Sequence, residues 1–198
     1  LLFSVLVRPA AAVPAHLFVS ALGVSILDAV RSRVEGGFAL KWPNDIVLRS
    51  AGMPDRKVCG ILAESIVDGG HIAAVVVGAG INVNWPEIPE ELAETAVALN
   101  HLSGAELDRR ELLEDIIVRF ERALDDLELA GGPGRLSQQV RDRSATLGAR
   151  VRVELSTESF EGLAESLTDE GHLLVRTDSE LREVAFGDVI HLRPIETS

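Results

Sequence analysis

The sequence predicts an α+β fold, with a mostly antiparallel sheet and packed helices over residues 1–146, then a small β-barrel over residues 147–198. Two observations predict it. Three strand-like runs, 45–49, 58–67 and 71–77, are linked by Ser50 to Arg56 and by Asp68-Gly69-Gly70, which are too short for a helical crossover, so the strands pair as antiparallel hairpins. After Gly148 the pattern changes to short runs at 151–155, 160–167, 172–176, 181–186 and 189–192, broken by turn residues such as Asp169-Glu170-Gly171.

Taken in order, residues 2–7 form an apolar strand closed by Arg8-Pro9. Residues 14–34 place Leu17, Phe18, Ala21, Leu22, Val24, Ile26, Leu27 and Val30 at helical spacing, ending by Gly36-Gly37. Gly23 costs this helix about 1 kcal/mol of propensity relative to alanine and marks a close crossing over the sheet. Val75, Val76 and Val77 predict a strand buried on both faces, and residues 85–91 a loop over the mouth of a site. Asp108 and Glu111 form a capping box for a long helix whose stripe Leu112, Leu113, Ile116, Ile117, Phe120, Leu124 and Leu127 faces a core. Gly131-Gly132-Pro133 ends it, and a short helix follows over 135–143.

The charge and the cysteine count exclude several function classes. With 19 Lys and Arg against 31 Asp and Glu, the net charge is −12, which argues against a general nucleic-acid or membrane surface. Any polyanion must be held by a few placed cations. Cys59 is the single cysteine, so no internal disulfide or multi-cysteine zinc site exists, and a reducing cytoplasm fits. It reads as a small core residue. The five histidines show no ligand spacing, so no protein-bound metal is expected. The run 13–30 is interrupted by His16, Ser20, Ser25 and Asp28 and is a buried helix, not a membrane span.

The densest chemistry lies in Lys41-Trp42-Pro43-Asn44-Asp45, between two apolar runs. Pro43 ends or bulges the strand entering through Ala39 and Leu40, and Asn44 shapes the turn before the next strand. Lys41 and Asp45 are expected on one side. Farther on come Lys57-Val58-Cys59-Gly60-Ile61-Leu62 and Gly78-Ala79-Gly80-Ile81-Asn82. The last lacks the third glycine of a dinucleotide loop, since Val83 stands there, and no βαβ unit surrounds it.

These three blocks, in this order, resemble the catalytic domain of biotin protein ligases, whose signatures are Lys-Trp-Pro-Asn-Asp, Lys-x-x-Gly-Ile-Leu and Gly-x-Gly-x-Asn. The likeness is strong over 40–84 and rests on pattern alone after 148, where it implies a barrel of the Src-homology-3 kind. It implies the joining of biotin to AMP from ATP with Mg2+, then transfer to a lysine of a biotin carboxyl carrier domain. Lys57 matches the lysine at the biotin carboxylate and reacting phosphate, and Gly60 and Leu62 match backbone contacts to biotin. Lys41, Asn44, Gly78, Gly80 and Asn82 are assigned to ATP or the adenylate, with Asn82 reading adenine. Asp45 is expected to orient or deprotonate the carrier lysine. Edge-to-edge pairing of sheets in a homodimer is also implied.

The family's Gly-Arg-Gly-Arg-x-Gly-Arg loop is not in this chain. The chain begins at Leu1, so we expect a piece of a longer protein with weakened ligand retention and an apolar edge or face exposed. A lipoate-attaching relative and a non-catalytic module of the same fold are the alternatives.

Overall fold

A computed structural model of the chain describes residues 1–9, 13–69, 71–185 and 187–191. The first sheet holds β1 (Leu2–Val7), β2 (Gly37–Lys41), β3 (Asp45–Arg49), β4 (Arg56–Asp68) and β5 (His71–Ile81) in the order β1-β5-β4-β3-β2. Every neighbouring pair is antiparallel, as the short links require for β2 to β5, and β1 joins the free edge of β5 in the same sense.

One face of this sheet carries the core. Helix α1 (Ala15–Arg31) lies on it, and eleven of its residues are buried because α3 (Arg109–Glu128) and α4 (Gly132–Asp142) pack over its other side. Phe38, Ile46, Val58, Cys59, Val75 and Val77 rise from the strands to meet Leu22, Ile26 and Phe120. Full burial of each such Leu, Ile or Phe is worth about 1.5–3 kcal/mol, which makes this layer the main source of stability. Helix α3 starts where expected, with Asp108 Oδ1 accepting from the backbone N–H of Arg110 at 2.7 Å and of Glu111 at 3.2 Å. Gly132 and Pro133 open α4, so the Gly-Gly-Pro stop of one helix doubles as the start of the next. Between β5 and α3, the short helix α2 (Leu99–Ser103) ends at Gly104, whose φ of 72° needs a glycine.

Two expectations about the strands are corrected. Val76 lies on the opposite face from Val75 and Val77 and is only half-buried, so β5 is covered on one face. A valine run satisfies strand propensity whether or not both faces are packed, and it carries no information about the second layer. The Gly78-Ala79-Gly80 segment does not follow β5 but is part of it, paired on both sides with β4 and β1.

The second sheet is also antiparallel, with β6 (Arg150–Glu154), β7 (Ser159–Leu167), β8 (Leu173–Arg176), β9 (Leu181–Val184) and β10 (Asp188–His191) in the order β10-β6-β7-β8-β9. Val151, Val153, Ala164, Leu173, Val175, Val184 and Val189 from all five strands form one buried cluster, so the sheet wraps around its own core in the manner of a small barrel. Strand positions 186 and 192 lie outside the described residues.

The two sheets meet at the β2–β3 hairpin. The N–H of Leu40 donates to Arg143 O at 2.9 Å, and the N–H of Ala145 donates to Leu40 O at 2.7 Å, so the connecting segment runs along the outer edge of β2. Trp42 packs against the barrel cluster, and its Nε1–H donates to Gly171 O at 3.0 Å.

Gly23 does mark the crossing of α1 over the sheet. A Cβ there would lie 3.4 Å from Ile61 Cδ1 and from Leu40 Cδ2, which is ordinary contact. Gly23→Ala therefore recovers helix propensity without a clash and stabilises by up to about 1 kcal/mol in urea unfolding. Gly23→Val, by crowding the same atoms, destabilises.

Candidate active site

The face of the first sheet turned away from α1 is open, and the sequence blocks converge on it. Strand register lines up Leu2, Gly80, Gly60, Asp45 and Lys41 as successive partners across all five strands. The next row is Ser4, Gly78 and Leu62. Three glycines in the middle of the sheet leave its floor without side chains, and a groove of about 590 Å³ forms over them, lined in part by Leu2, Ser4, Asn44 and Leu62. Glycine in a strand interior weakens the strand, and here it allows a ligand to approach the backbone.

Lys57 reaches this face through a β-bulge. Ile46 pairs with Cys59 and Val47 pairs with Lys57, which leaves Val58 as an extra residue on β4. Val58 and Cys59 both point into the core, and the interrupted alternation puts Lys57 on the same side as Gly60 and Leu62. Its Nζ then lies 2.7 Å from Asp45 Oδ1. That oxygen is shielded from water and meets the ammonium off the line of a hydrogen bond, so the contact is an ion pair rather than a directed bond.

Gly60 makes room for this pair, since a Cβ there would stand 2.9 Å from Lys57 Nζ and 3.5 Å from Asp45 Oδ1. The bulge thus sits at Val58, and Gly60 serves clearance. Leu62 is not core, because 65% of it is exposed at the side of the groove, next to the glycine floor.

Lys41 and Asp45 do share a side, as directly opposed residues of a hairpin rather than as alternate positions of one strand. Pro43 follows a cis peptide within that hairpin. Asn44 does more than shape the turn. Its Nδ2 donates to Ile61 O at 2.6 Å and its own carbonyl accepts from the Ile61 N–H at 2.9 Å, which ties the hairpin to β4. Asn82 lies two residues beyond Gly80, with its N–H on Val58 O at 2.8 Å and its Nδ2 on Lys57 O at 3.2 Å. Asn82 therefore braces the bulge. The loop after it is pinned by Asn100, which accepts from the Trp85 N–H at 3.2 Å and donates to Trp85 O at 2.8 Å.

Several residues of this region were not singled out in the sequence. Ser4 and Leu2 line the groove, and the alternation of Leu2, Ser4 and Leu6 with Phe3, Val5 and Val7 was the available signal. Leu2 is 86% exposed, which with Leu62 gives the open face the apolar character expected of it. Asp55, Thr146 and His191 meet beside the hairpin, and nothing in the local sequence signals that contact. Among the described residues no group of three His, Cys, Asp or Glu is placed to hold a metal ion, and no helix is long and apolar enough to cross a membrane.

Cys59 lies directly beneath the groove. Burial, with the Asp45 carboxylate second, pushes its thiol up to about 12. The thiol therefore stays protonated across the neutral range, and native protein at about pH 8 will not react with maleimide, whereas denatured protein will. Gly60→Ala will leave the fold intact, because Lys57 is flexible enough to move, but it will drive the ammonium off Asp45. A 15N side-chain spectrum of Lys57 reads that displacement.

Two family models match separate stretches of the chain. Residues 1–82 match the biotin/lipoate A/B protein ligase family, and residues 146–192 match the biotin protein ligase C terminal domain. The chain is 32% identical over 177 residues to the biotin–[acetyl-CoA-carboxylase] ligase of Mycobacterium tuberculosis, covering 87% of this chain and 61% of that protein. It is 30% identical over 169 residues to the bifunctional ligase/repressor BirA of Bacillus spizizenii, covering 84% and 50%. The chain thus spans between half and 61% of the length of these two relatives. The apo biotin protein ligase of Aquifex aeolicus superposes with a TM-score of 0.81 at 27% identity, covering 96% of this chain and 82% of that one. The same enzyme in complex with biotin and ATP gives 0.78 at 28% identity, covering 98% and 78%. With its three blocks gathered on one sheet face and both of its parts matched, the chain belongs to the biotin protein ligase family.

Proposed function

We propose that the chain carries the catalytic domain (1–146) and C-terminal barrel (147–198) of a biotin protein ligase, which activates biotin to biotinoyl-5′-AMP and passes it to a lysine of a biotin carboxyl carrier domain. The observation that carries this reading is the row Lys41, Asp45, Gly60 and Gly80 with Lys57 lying over its middle. Two anions must meet in the first step, and a cation above a side-chain-free floor lowers the cost of bringing them together. The lipoate-attaching and non-catalytic alternatives are not favoured beside curated relatives named as biotin ligases.

In the proposed reaction a biotin carboxylate oxygen bonds to the α-phosphorus of ATP and pyrophosphate leaves. Lys57 exchanges Asp45 for the biotin carboxylate and the α-phosphate, its compact charge following the developing negative charge. The Gly60–Leu62 stretch of β4, bare of a side chain at Gly60, lets the ureido ring lie close against the strand. Lys41 faces the phosphates, with Asn44 and the Gly78–Gly80 backbone beside them, and Asn82 offers its carbonyl oxygen to the adenine edge. Mg2+ arrives on the nucleotide as part of the substrate. In the second step the carrier amine attacks the acyl carbon, AMP leaves, and Asp45, freed from Lys57, takes the proton. We further propose that two copies pair through the free edge of β1 and that the protein acts in the cytoplasm.

Incubation with biotin, ATP and Mg2+ followed by mass spectrometry for biotinoyl-AMP tests the reading. Lys57→Gln is expected to lower the rate of adenylate formation by about 10²–10³, the cost of removing one group that stabilises transition-state charge. Asp45→Asn should retain adenylate formation and lose transfer to the carrier. Equal loss of both steps in Asp45→Asn would remove its assigned role.

A further inference from the structure

The Lys41 end of the row is held where the connecting segment enters the barrel, and one of the contacts there is made by a fully buried hydroxyl. Thr146 Oγ1 accepts from the N–H of Trp42 at 3.0 Å and lies 3.1 Å from His191 Nε2. On its other side His191 Nδ1 is 2.6 Å from Asp55 Oδ2, and Asp55 sits in the turn just before β4. One arrangement of protons satisfies every group. Nδ1–H of His191 donates to Asp55, Nε2 accepts from the Thr146 O–H, and a lone pair of Thr146 accepts from Trp42. The indole of the same tryptophan is bound to Gly171 O, so both its backbone and its ring are held from the barrel side. Trp42 is next to Lys41 and three residues from Asp45.

We propose that Thr146, fixed by His191 and Asp55, is a positioning residue for the Lys41–Asp45 hairpin, through which the barrel sets the place of Lys41 at the nucleotide phosphates. The proposal rests on the reading of Lys41 as a phosphate contact. A hydroxyl is required there because a buried N–H left without an acceptor destabilises the position it occupies. The hairpin then pivots about Asn44, which is tied to β4, and the shift falls on the Lys41 arm rather than on Gly60 and Leu62. Nucleotide binding should suffer and biotin binding should not.

The same contact makes the hairpin sensitive to pH. Among the described residues, the charged groups around His191 are Asp55 from the β3–β4 turn, Lys41 from β2 and Arg49 from β3. Burial holds the imidazole below its ordinary value. The Asp55 carboxylate opposes that shift, and Lys41 and Arg49 reinforce it. A group with a lowered pKa binds fewer protons folded than unfolded, so the contact is complete at neutral pH and weakens as the pH falls below about 6.5.

The test compares Thr146→Val, which keeps the shape and removes the hydroxyl, with Thr146→Ser, which keeps the hydroxyl. Thr146→Val should raise the KM for MgATP about tenfold, the scale of one buried hydrogen bond, with the KM for biotin within about twofold of wild type. Amide exchange over residues 41–45 should accelerate by a similar factor. Thr146→Ser should stay with wild type in both readouts, and His191→Gln should flatten the rise in MgATP KM between about pH 7.5 and 5.5. A Thr146→Val protein with unchanged KM for MgATP and unchanged exchange would overturn the proposal, as would an equal rise in both KM values. A wild-type chain that forms no adenylate would count against the ligase reading instead, and amide exchange would then decide the role of Thr146 without turnover.

Discussion

The extra residue at Val58 decides which side of the sheet Lys57 serves. With regular alternation, Lys57 would share a face with Cys59 and Ile61 and would have to bury its ammonium among the side chains of α1, where the desolvation cost of an unpaired charge is prohibitive. The bulge sends Val58 into that core in its place and brings the lysine out over Gly60. Asp45 and the clearance at Gly60 follow from this. The carboxylate neutralises the lysine while the groove is free, and the missing Cβ lets the side chain lie flat on the floor. Asn82 supports the irregularity by bonding to the carbonyls of both Val58 and Lys57.

The hairpin is the second constraint, because two structural units share it. Its inner strand is tied to β4 through Asn44, and its outer strand is bound to the connecting segment and the barrel through Leu40 and Trp42. A motif that must hold a cation and a carboxylate opposite each other therefore sits between two independently packed cores. This division explains the mixed chemistry of Lys-Trp-Pro-Asn-Asp, in which the charged residues face the groove and the tryptophan faces the barrel.

Much of this was legible in the sequence. Short links forced antiparallel pairing, the α1 and α3 stripes marked the buried face, and Asp108 announced the start of α3. The three motif blocks stood out in the sequence, but their distance along the chain gives no register, and it is the strand pairing that lays Lys41, Asp45, Gly60 and Gly80 in one row. What escaped the sequence is set by tertiary contact. The bulge at Val58 arises where β3 and β4 must accommodate one residue too many, and a valine beside a cysteine carries no mark of it. Val76 was misread because an apolar run has the same pattern whether one face or two are covered. Thr146, His191 and Asp55 are far apart in the chain and become partners only when the barrel docks on β2.

The central claim is that Lys57 exchanges the Asp45 carboxylate for the carboxylate of biotin. A titration of 15N-lysine-labelled protein with biotin, repeated with biotin methyl ester, reads that exchange directly. The account predicts that the Lys57 ammonium resonance moves with biotin and stays in place with the ester, which carries no charge. Saturable biotin binding with an unmoved Lys57 resonance, or equal movement with both ligands, would contradict it.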